Sequence, residues 1–519
     1  MSLKKTALLA TSALAAFGMQ AQSPADNRPN IIFFLVDDMG WQDTSLPFWQ
    51  EKTPLNERYH TPHMERLASQ GMMFTQAYAC AVSSPTRVSL MTGMNAARHR
   101  VTNWTLEKDK STDLESDILE FPEWNVNGIC QTAGIPHTAQ VTPLPQLLKD
   151  NGYHTIHCGK AHFGAIGTPG EDPLHLGFEV NIAGHAAGGL ASYLGVNNFG
   201  NRTDGKPNPL NAVPGLEKYW GEDVFVTEAL TIEAIDALEQ AKLKDKPFFL
   251  YMSHYAIHIP IDKDKRYYQK YIENGLLEKE AAYASLIEGM DKSLGDLMDW
   301  LEKNDLDENT IIIFMSDNGG FATSTRWRDE PLYTQNAPLN SGKGSAYEGG
   351  IRVPMIVKWN KKTEPATRNN NALMIEDLFP TILEMAQIDE YETLQETDGY
   401  SITPLLENTN TSFGDRSFYW HYPNLWGNTG PGIGTTSTIR KGDWKLIYYY
   451  DTGAKELYNI KKDIGEKYNL VNENSLIEKE LSIDLGQFLR KVDAQRPTFK
   501  TSGKPSPWPD EKFNNNTTH

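Results

Sequence analysis

Five short apolar runs punctuate the chain: IIFFLV at 31–36, YHTIHC at 153–158, PFFLYM at 247–252, TIIIFMS at 310–316 and VPMIVKW at 353–359. Each is rich in β-branched or aromatic residues and several are nearly continuous, the pattern of strands buried on both faces. Between them the hydrophobic period lengthens to that of helices. HTPHMERLASQG offers Thr61 as a cap and Pro62 at the first helical position, and EDVFVTEALTIEAIDALEQA sets Val226, Leu230 and Ala234 on one face. Strands alternating with helices predict an α/β fold, a large mostly parallel sheet flanked by helices.

After DGYSITPLLENTNTSFGDRS at 398–417 the texture changes. SFYWHYP, TSTIRKGDWKLIYYY and KELYNI read as short strands joined by turns such as KGD and DTG, hence a smaller C-terminal domain built on an antiparallel sheet. A chain of 519 residues exceeds the roughly 250–300 residues at which single cores stop growing. The expected division is a main domain over 28–411, a C-terminal subdomain over 412–500, and a loose Pro- and Asn-rich tail over 501–519. Residues 1–22 carry two lysines, then a short Ala/Leu-rich run ending in small and polar residues, the layout of a signal peptide. The apolar stretch at 7–18 falls short of the roughly 20 residues of a spanning helix. The expectation is a periplasmic or secreted protein with no membrane anchor.

Charge and cysteine content narrow the class. Lys and Arg total 49 against 67 Asp and Glu, a net charge of −18, which argues against nucleic acid or an anionic membrane as general partner. A local cluster of cations still accommodates an anionic substrate. Cys80, Cys130 and Cys158 are too few for a disulfide scaffold and wrongly spaced for a zinc cluster.

In open α/β sheets, ligands bind outside the carboxyl ends of the strands, so the residues following each apolar run are the candidates. Asp37 and Asp38 follow the first, Gly159, Lys160 and His162 the second, His258 the third, Asp317 and Asn318 the fourth. Any one of these alone reads as a turn, a cap or a solvated side chain. Together Asp37, Asp38, Asp317 and Asn318 form an all-oxygen ligand set suited to Ca²⁺ or Mg²⁺ rather than zinc. Lys160, His162, His258, Arg87 and Lys343 add fixed positive charge and titratable donors, and such a combination suits a sulfate or phosphate ester. AVSSPTRVSLMTG at 81–93 looks like a helix start, and its local sequence favours a serine cap over a nucleophile.

These residues resemble the type I sulfatases, a formylglycine-dependent family of the alkaline phosphatase superfamily. The family signature, C/S-x-P-x-R followed by T-G, is similar to SSPTRVSLMTG from Ser83. Pro85 and Arg87 select Ser83 by register, whereas Cys80 and Ser84 lack the proline two positions on. NIIFFLVDDMGWQD, TPHMERLASQGMMFTQAY, GYHTIHCGKAHFG, YAIHIP, IFMSDNGG, GKGSAYEGGIRVP and IRKGDWKLIYYYDTGAKELYNI follow in the family's order. The resemblance implies an alkaline phosphatase-like fold and one calcium ion per chain on Asp37, Asp38, Asp317, Asn318 and the modified Ser83. It implies Lys160, His162, His258 and Lys343 around the sulfate, with Arg87 supporting 3-oxoalanine (formylglycine) made from Ser83. One hydroxyl of the aldehyde hydrate would attack sulfur while His258 or Lys343 protonates the departing oxygen. His162 would take the proton of the second as sulfate leaves. Ile257 and Thr86 depart from the commonest family residues at their positions.

A serine-type signature further implies a bacterial polysaccharide sulfatase matured by a radical-SAM enzyme. Sulfated polysaccharides or glycan fragments, with galactose-type sugars favoured, are the expected substrates. His99, Trp104 and Trp41 are candidates for the rim of the cleft, and His421, Asn424 and Trp426 in WHYPNLWG for a wall contributed by the second domain. A phosphomonoesterase or phosphodiesterase of the same superfamily is the alternative enzyme, and an unmodified Ser83 would leave a non-catalytic binder of sulfated glycans.

Overall fold

A computed structural model describes residues 27–202, 204–427 and 430–512. The expected signal peptide, 1–22, lies outside the described residues. The main sheet contains β1 (Asn30–Val36), β2 (Met72–Tyr78), β3 (His154–Gly159), β4 (Val180–Ile182), β5 (Phe248–Ser253), β6 (Thr310–Ser316), β7 (Arg352–Lys358), β8 (Thr367–Asn369) and β9 (Leu373–Met374). Its order is β8-β2-β7-β6-β1-β5-β3-β4, with β9 also pairing with β2.

β1 shows why the apolar runs become central strands. Ile31, Phe33 and Leu35 enter the core on one face, Ile32, Phe34 and Val36 the core on the other. Both faces are covered, so no position along the strand calls for a polar side chain. Each such side chain contributes about 1.5–3 kcal/mol by leaving water. Pairing is parallel throughout except at β7, which runs antiparallel to both β2 and β6.

Register decides where the chemistry falls. Val36 pairs with Ser316, Leu35 with Ser253 and Gly159 with Ser253, so the strands of three distant segments end at one level. Asp37, Asp317 and Lys160 therefore emerge side by side. Gly159 is required there: its φ is +102° and a Cβ would meet the Ser253 carbonyl oxygen at 1.9 Å.

Several elements were not foreseen from the pattern, among them a strand and the longest helix described. MMFTQAY mixes apolar and polar positions, yet forms β2 because β7, β8 and β9 supply partners for it. A helix over Glu278–Lys303 buries most of its length between the helices at Pro62–Gln70 and Val226–Lys242. Val226, Leu230 and Ala234 are buried as their spacing requires. Thr61 stands at the N-cap position, but its hydroxyl bonds Thr44 and Ser45 instead of capping.

The second sheet is antiparallel: β10 (Ser417–Tyr422), β11 (Thr436–Lys441), β12 (Trp444–Tyr449) and β13 (Lys455–Asn459), in that order. The helix Ser475–Lys491 lays Leu481, Leu485 and Leu489 onto Ile439, Leu446 and Leu457. Trp420 crosses to the first core, its indole N–H donating to the Ala79 carbonyl at 2.8 Å. The looseness expected of 501–519 does not extend to 501–512, where Ser506 and Trp508 are buried and Ser506 Oγ donates to the Tyr450 carbonyl at 2.5 Å. Residues 513–519 lie outside the described residues. Cys80, Cys130 and Cys158 are free and buried. Among the described residues no helix is long and apolar enough to cross a membrane.

Candidate active site

The helix Ser83–Thr92 starts where the sequence suggests, but neither serine caps it. Val82 is the N-cap, and every residue of the helix is buried. Ser84 Oγ accepts from the Thr105 backbone N–H at 3.1 Å. Ser83 Oγ turns into the ends of β1, β3 and β6, 3.2 Å from Asp37 Oδ1, 3.3 Å from Asn318 Oδ1 and 3.0 Å from Lys160 Nζ.

Around that hydroxyl, Lys160 Nζ donates to Asp37 Oδ2 at 2.6 Å and Lys343 Nζ to Asp38 Oδ1 at 2.7 Å. Asn318 Nδ2 donates to Asp38 Oδ1 at 2.8 Å. Arg87 is wholly buried, with Nε and Nη2 on Asp317 Oδ2 at 3.1 and 2.8 Å and Nη1 on the Lys160 carbonyl and Ser253 Oγ at 3.1 and 2.5 Å. Two turns that carry site residues are left-handed at non-glycine positions, Asp38 at φ 61° and His162 at φ 59°. Such conformations persist where surrounding contacts over-determine them. At Asp38 those contacts include its own N–H on Asp317 Oδ1.

The histidines are oriented by carbonyls. His258 Nδ1–H donates to Ile259 O at 2.7 Å, leaving Nε2 3.9 Å from Asp38 Oδ2. His162 Nε2–H donates to Thr105 O at 2.9 Å, and its Nδ1 is buried with no protein partner. Burial, with the Lys343 charge, pushes the His258 pKa down to about 3. Burial and the Lys160 and Arg87 charges hold His162 well below its usual value. Both are therefore neutral and can accept a proton.

Burial raises the Asp37 carboxyl well above its ordinary range, helped by repulsion from Asp317 and Asp38. Asp317 feels the same burial, but Arg87 and Lys160 hold it far below its usual value. Asp38 is likewise held low against burial by Lys343 and His258. Burial, assisted by Arg87, brings Lys160 down to about 8.

Ligand atoms of Asp37, Asp38 and Asp317 lie within 4.8 Å of one another. Asp38 Oδ2 is buried with no hydrogen-bond partner. An orphaned carboxylate oxygen amid mutually repelling carboxylates fits a cation, and the all-oxygen donors fit a hard one. Asp37, Asp38 and Asp317 balance Arg87, Lys160 and Lys343 in charge. A divalent cation would leave the centre positive, the complement of an anionic ester.

Fold and site define a class: hydrolases of oxyanion esters on an alkaline phosphatase-like scaffold. The chain belongs to the sulfatase family and is a sulfuric ester hydrolase. The family model described as Sulfatase matches residues 29–388, and that described as N-sulphoglucosamine sulphohydrolase, C-terminal, matches 342–495. A sulfatase of Formosa agariphila is 30% identical over 504 residues, covering 88% of this chain and 86% of its own. An N-acetylgalactosamine-6-O-sulfatase of Bacteroides thetaiotaomicron is 27% identical, covering 88% and 92%. The crystal structure of Ps i-CgsB in complex with k-i-k-neocarrahexaose superposes with a TM-score of 0.69 at 27% identity, covering 89% of this chain and 93% of that one.

Four of the residues expected at the rim or wall serve the interior instead. His99 is buried, Nε2 on Ser89 Oγ at 3.0 Å and Nδ1 accepting from Val101 N at 3.0 Å. His421 has Nδ1 on Ser437 Oγ and Nε2 on the Gln495 carbonyl, both at 2.7 Å. Asn424 is buried, accepting from Thr102 Oγ1 at 2.5 Å and donating to Asp113 Oδ2 at 2.9 Å. Trp41 lies in the core under the Arg352 guanidinium, 4.1 Å from its ring. His99 and His421 have both ring nitrogens bonded, and Asn424, wholly buried, spends its amide on Thr102 and Asp113, so none of the three faces a ligand.

Trp104 and Trp426 remain half-buried. Trp104 adjoins Thr105, whose carbonyl holds His162. Trp426 rests its six-membered ring against Gly344, beside Lys343, so closely that a Cβ there would meet Cε3 at 2.2 Å. Two site residues were missed from sequence: Ser253, which follows the strand-end rule and was legible by it, and Thr105, whose carbonyl carries no side-chain signal.

Proposed function

We propose that the protein hydrolyses sulfate esters of a carbohydrate, after oxidation of Ser83 to formylglycine by a serine-type radical-SAM maturase. The observation that carries the reading is the place of Ser83 Oγ, buried at the start of a helix within 3.3 Å of Asp37, Asn318 and Lys160. The two acceptors of the Ser83 hydroxyl, Asp37 and Asn318, belong to the cation's ligand set, and neither His162 nor His258 bonds it, so an unmodified serine there has no histidine to activate it. Formylglycine supplies as its hydrate a hydroxyl to attack sulfur and a second whose deprotonation expels sulfate.

Asp37, Asp38, Asp317 and Asn318 would hold one Ca²⁺, which supplies Lewis-acid polarisation of the nucleophile and the sulfate oxygens. Lys160 and Lys343 compensate the ester's charge and keep it in line with position 83. Arg87 fixes Asp317 and the main chain at Lys160, holding the charged cluster in register. His258 Nε2, bare at rest, takes a proton from the Lys343 ammonium and passes it to the departing sugar oxygen, and His162 Nδ1, free of protein partners, receives one in the second step.

Relatives named for N-acetylgalactosamine 6-sulfate, and the neocarrahexaose complex of Ps i-CgsB, support galactose-type sugars as substrate. Trp426, against Gly344 beside Lys343, offers a stacking face for the ring that carries the sulfate, and Trp104 a second. The layout of residues 1–22 supports export to the periplasm or beyond.

Intact-mass measurement after co-expression with a serine-type maturase tests the reading. Loss of two hydrogens confined to Ser83 is expected, with sulfate release from monosulfated galactose and N-acetylgalactosamine. Ser83→Ala should abolish release. Turnover by Ser83→Ala would overturn the reading, and a Ser83 left unmodified by the maturase, with glycan binding alone, would make the protein a binder.

A further inference from the structure

The segment 185–193, HAAGGLASY, touches one or the other site histidine at its start, in its middle and at its end. At its start, the His185 carbonyl accepts from the His162 backbone N–H at 3.2 Å. In its middle, Gly188 lies flat against the His162 imidazole, where a Cβ would fall 2.1 Å from Cε1 and 2.5 Å from Nδ1. Gly189 lies against the second ring, where a Cβ would fall 2.8 Å from His258 Cε1 and 2.9 Å from Nδ1. At its end, the Tyr193 hydroxyl is within 2.7 Å of the Tyr255 carbonyl and 2.8 Å of the His258 carbonyl.

The segment is itself anchored from outside. Asp262 Oδ2 accepts from Ser192 Oγ at 3.0 Å and from Tyr193 N at 2.9 Å, and Asn211 Nδ2 donates to the Gly189 carbonyl at 3.1 Å. A Gly-Gly pair that brings backbone within van der Waals contact of two imidazoles leaves neither ring room to tilt toward it. The carbonyls of Thr105 and Ile259 set which nitrogen of each ring carries the proton. The strap fixes the plane of each ring, and with it the direction of the opposite nitrogen, His162 Nδ1 and His258 Nε2, through which a proton is exchanged.

We propose that Gly188, Gly189 and Tyr193 are positioning residues that hold His162 and His258 in their proton-transfer geometry. The inference rests on the sulfatase reading of the site and adds a division of labour within it. Tyr193 acts through His258 on departure of the leaving group, and Gly188 acts through His162 on release of sulfate.

Two aryl esters separate these roles, because phenol leaves with more need of a proton than 4-nitrophenol. Matured wild type, Tyr193→Phe and Gly188→Ala are assayed for kcat and KM on phenyl sulfate and 4-nitrophenyl sulfate, with thermal unfolding of each. Tyr193→Phe removes one hydroxyl and keeps the ring packed on Phe225. It should lower kcat on phenyl sulfate by about tenfold and on 4-nitrophenyl sulfate by less than about threefold, KM changing little. Gly188→Ala should lower kcat by about 100-fold on both esters alike, since sulfate release follows departure of the phenol. Equal losses on the two esters for Tyr193→Phe, or wild-type kcat in Gly188→Ala, would overturn the proposal. If Gly188→Ala does not fold, Tyr193→Phe decides it alone. A matured wild type that releases sulfate from neither ester nor from monosulfated galactose would instead overturn the sulfatase reading beneath it.

Discussion

Replacing Arg87 tests how much of the site is built by one buried guanidinium. Its four hydrogen bonds run to Asp317 Oδ2 twice, the Lys160 carbonyl and Ser253 Oγ, and the side chain is fully buried. Arg87→Met fills similar volume but leaves Asp317 only the weaker attraction of Lys160, 4.0 Å away, and of Lys343. Breaking a buried pair in this way costs about 3–5 kcal/mol. At roughly 1 °C per kcal/mol for a chain of this size, Tm should fall by about 3–5 °C.

Arg87→Lys keeps the charge, but a single ammonium cannot reproduce the fork that spans a carboxylate, a hydroxyl and a carbonyl. Losing two charged hydrogen bonds at about 1.5–3 kcal/mol each predicts a fall of similar size. Because Asp317 and Lys160 shift with it, kcat on 4-nitrophenyl sulfate should drop by about 100-fold. Calorimetric Tm and steady-state kinetics on the matured protein read both. A lysine variant within about 1 °C and twofold of wild type would refute the view that the fork, rather than the charge, organises the centre.

Chelation of divalent cations should abolish turnover and lower Tm, with Ca²⁺ restoring both; a ligand at 100 times its Kd adds about 2.7 kcal/mol of stability. Activity that survives exhaustive chelation would contradict the cation site. Glu376 gives a pH test away from the centre. Its Oε1 accepts from Asn95 and its Oε2 has no partner, and burial, then Asp377, pushes its pKa from the usual 4.5 up to about 8. A carboxyl raised on folding stabilises fully below its unfolded pKa and loses that contribution as pH rises toward the folded value, here on the order of 4 kcal/mol between pH 4.5 and 8. Glu376→Gln should therefore raise Tm relative to wild type at pH 9 and give no gain at pH 4.5; equal shifts at both would refute it. His421→Ala should cost about 2–3 kcal/mol in stability and leave KM for a sulfated sugar within about twofold, whereas a large KM effect would return His421 to the substrate wall.

Much of the centre was legible because the strand-end rule needs only the location of strands. β1, β5 and β6 are nearly continuous apolar runs, β3 a shorter one broken by Thr155 and His157, and Asp37, Lys160, His258 and Asp317 follow them within a few residues. Ser83 was legible by register with Pro85 and Arg87, although its local context looks like a cap. The structure assigns the cap to Val82 and spends Ser84 on Thr105, so the helix start and the reactive position are separate facts. β2 was missed because its polar positions are tolerated only once β7 and β8 flank it.

His99, His421 and Asn424 mark the limit of that reading. A histidine between aromatic residues looks the same in sequence whether it meets solvent or a carbonyl 74 positions away, as His421 meets Gln495. The sequence by itself determined five strands of the main sheet, the acidic and basic residues that end them and the position of the serine signature, because hydrophobic period and motif register are local properties. Only the tertiary structure decided which polar side chains were left unpaired. That is a matter of partners remote in the chain: it freed Asp38 Oδ2 and His162 Nδ1 for ligands, spent three expected sugar-binding residues on internal bonds, and laid a glycine pair against two imidazoles.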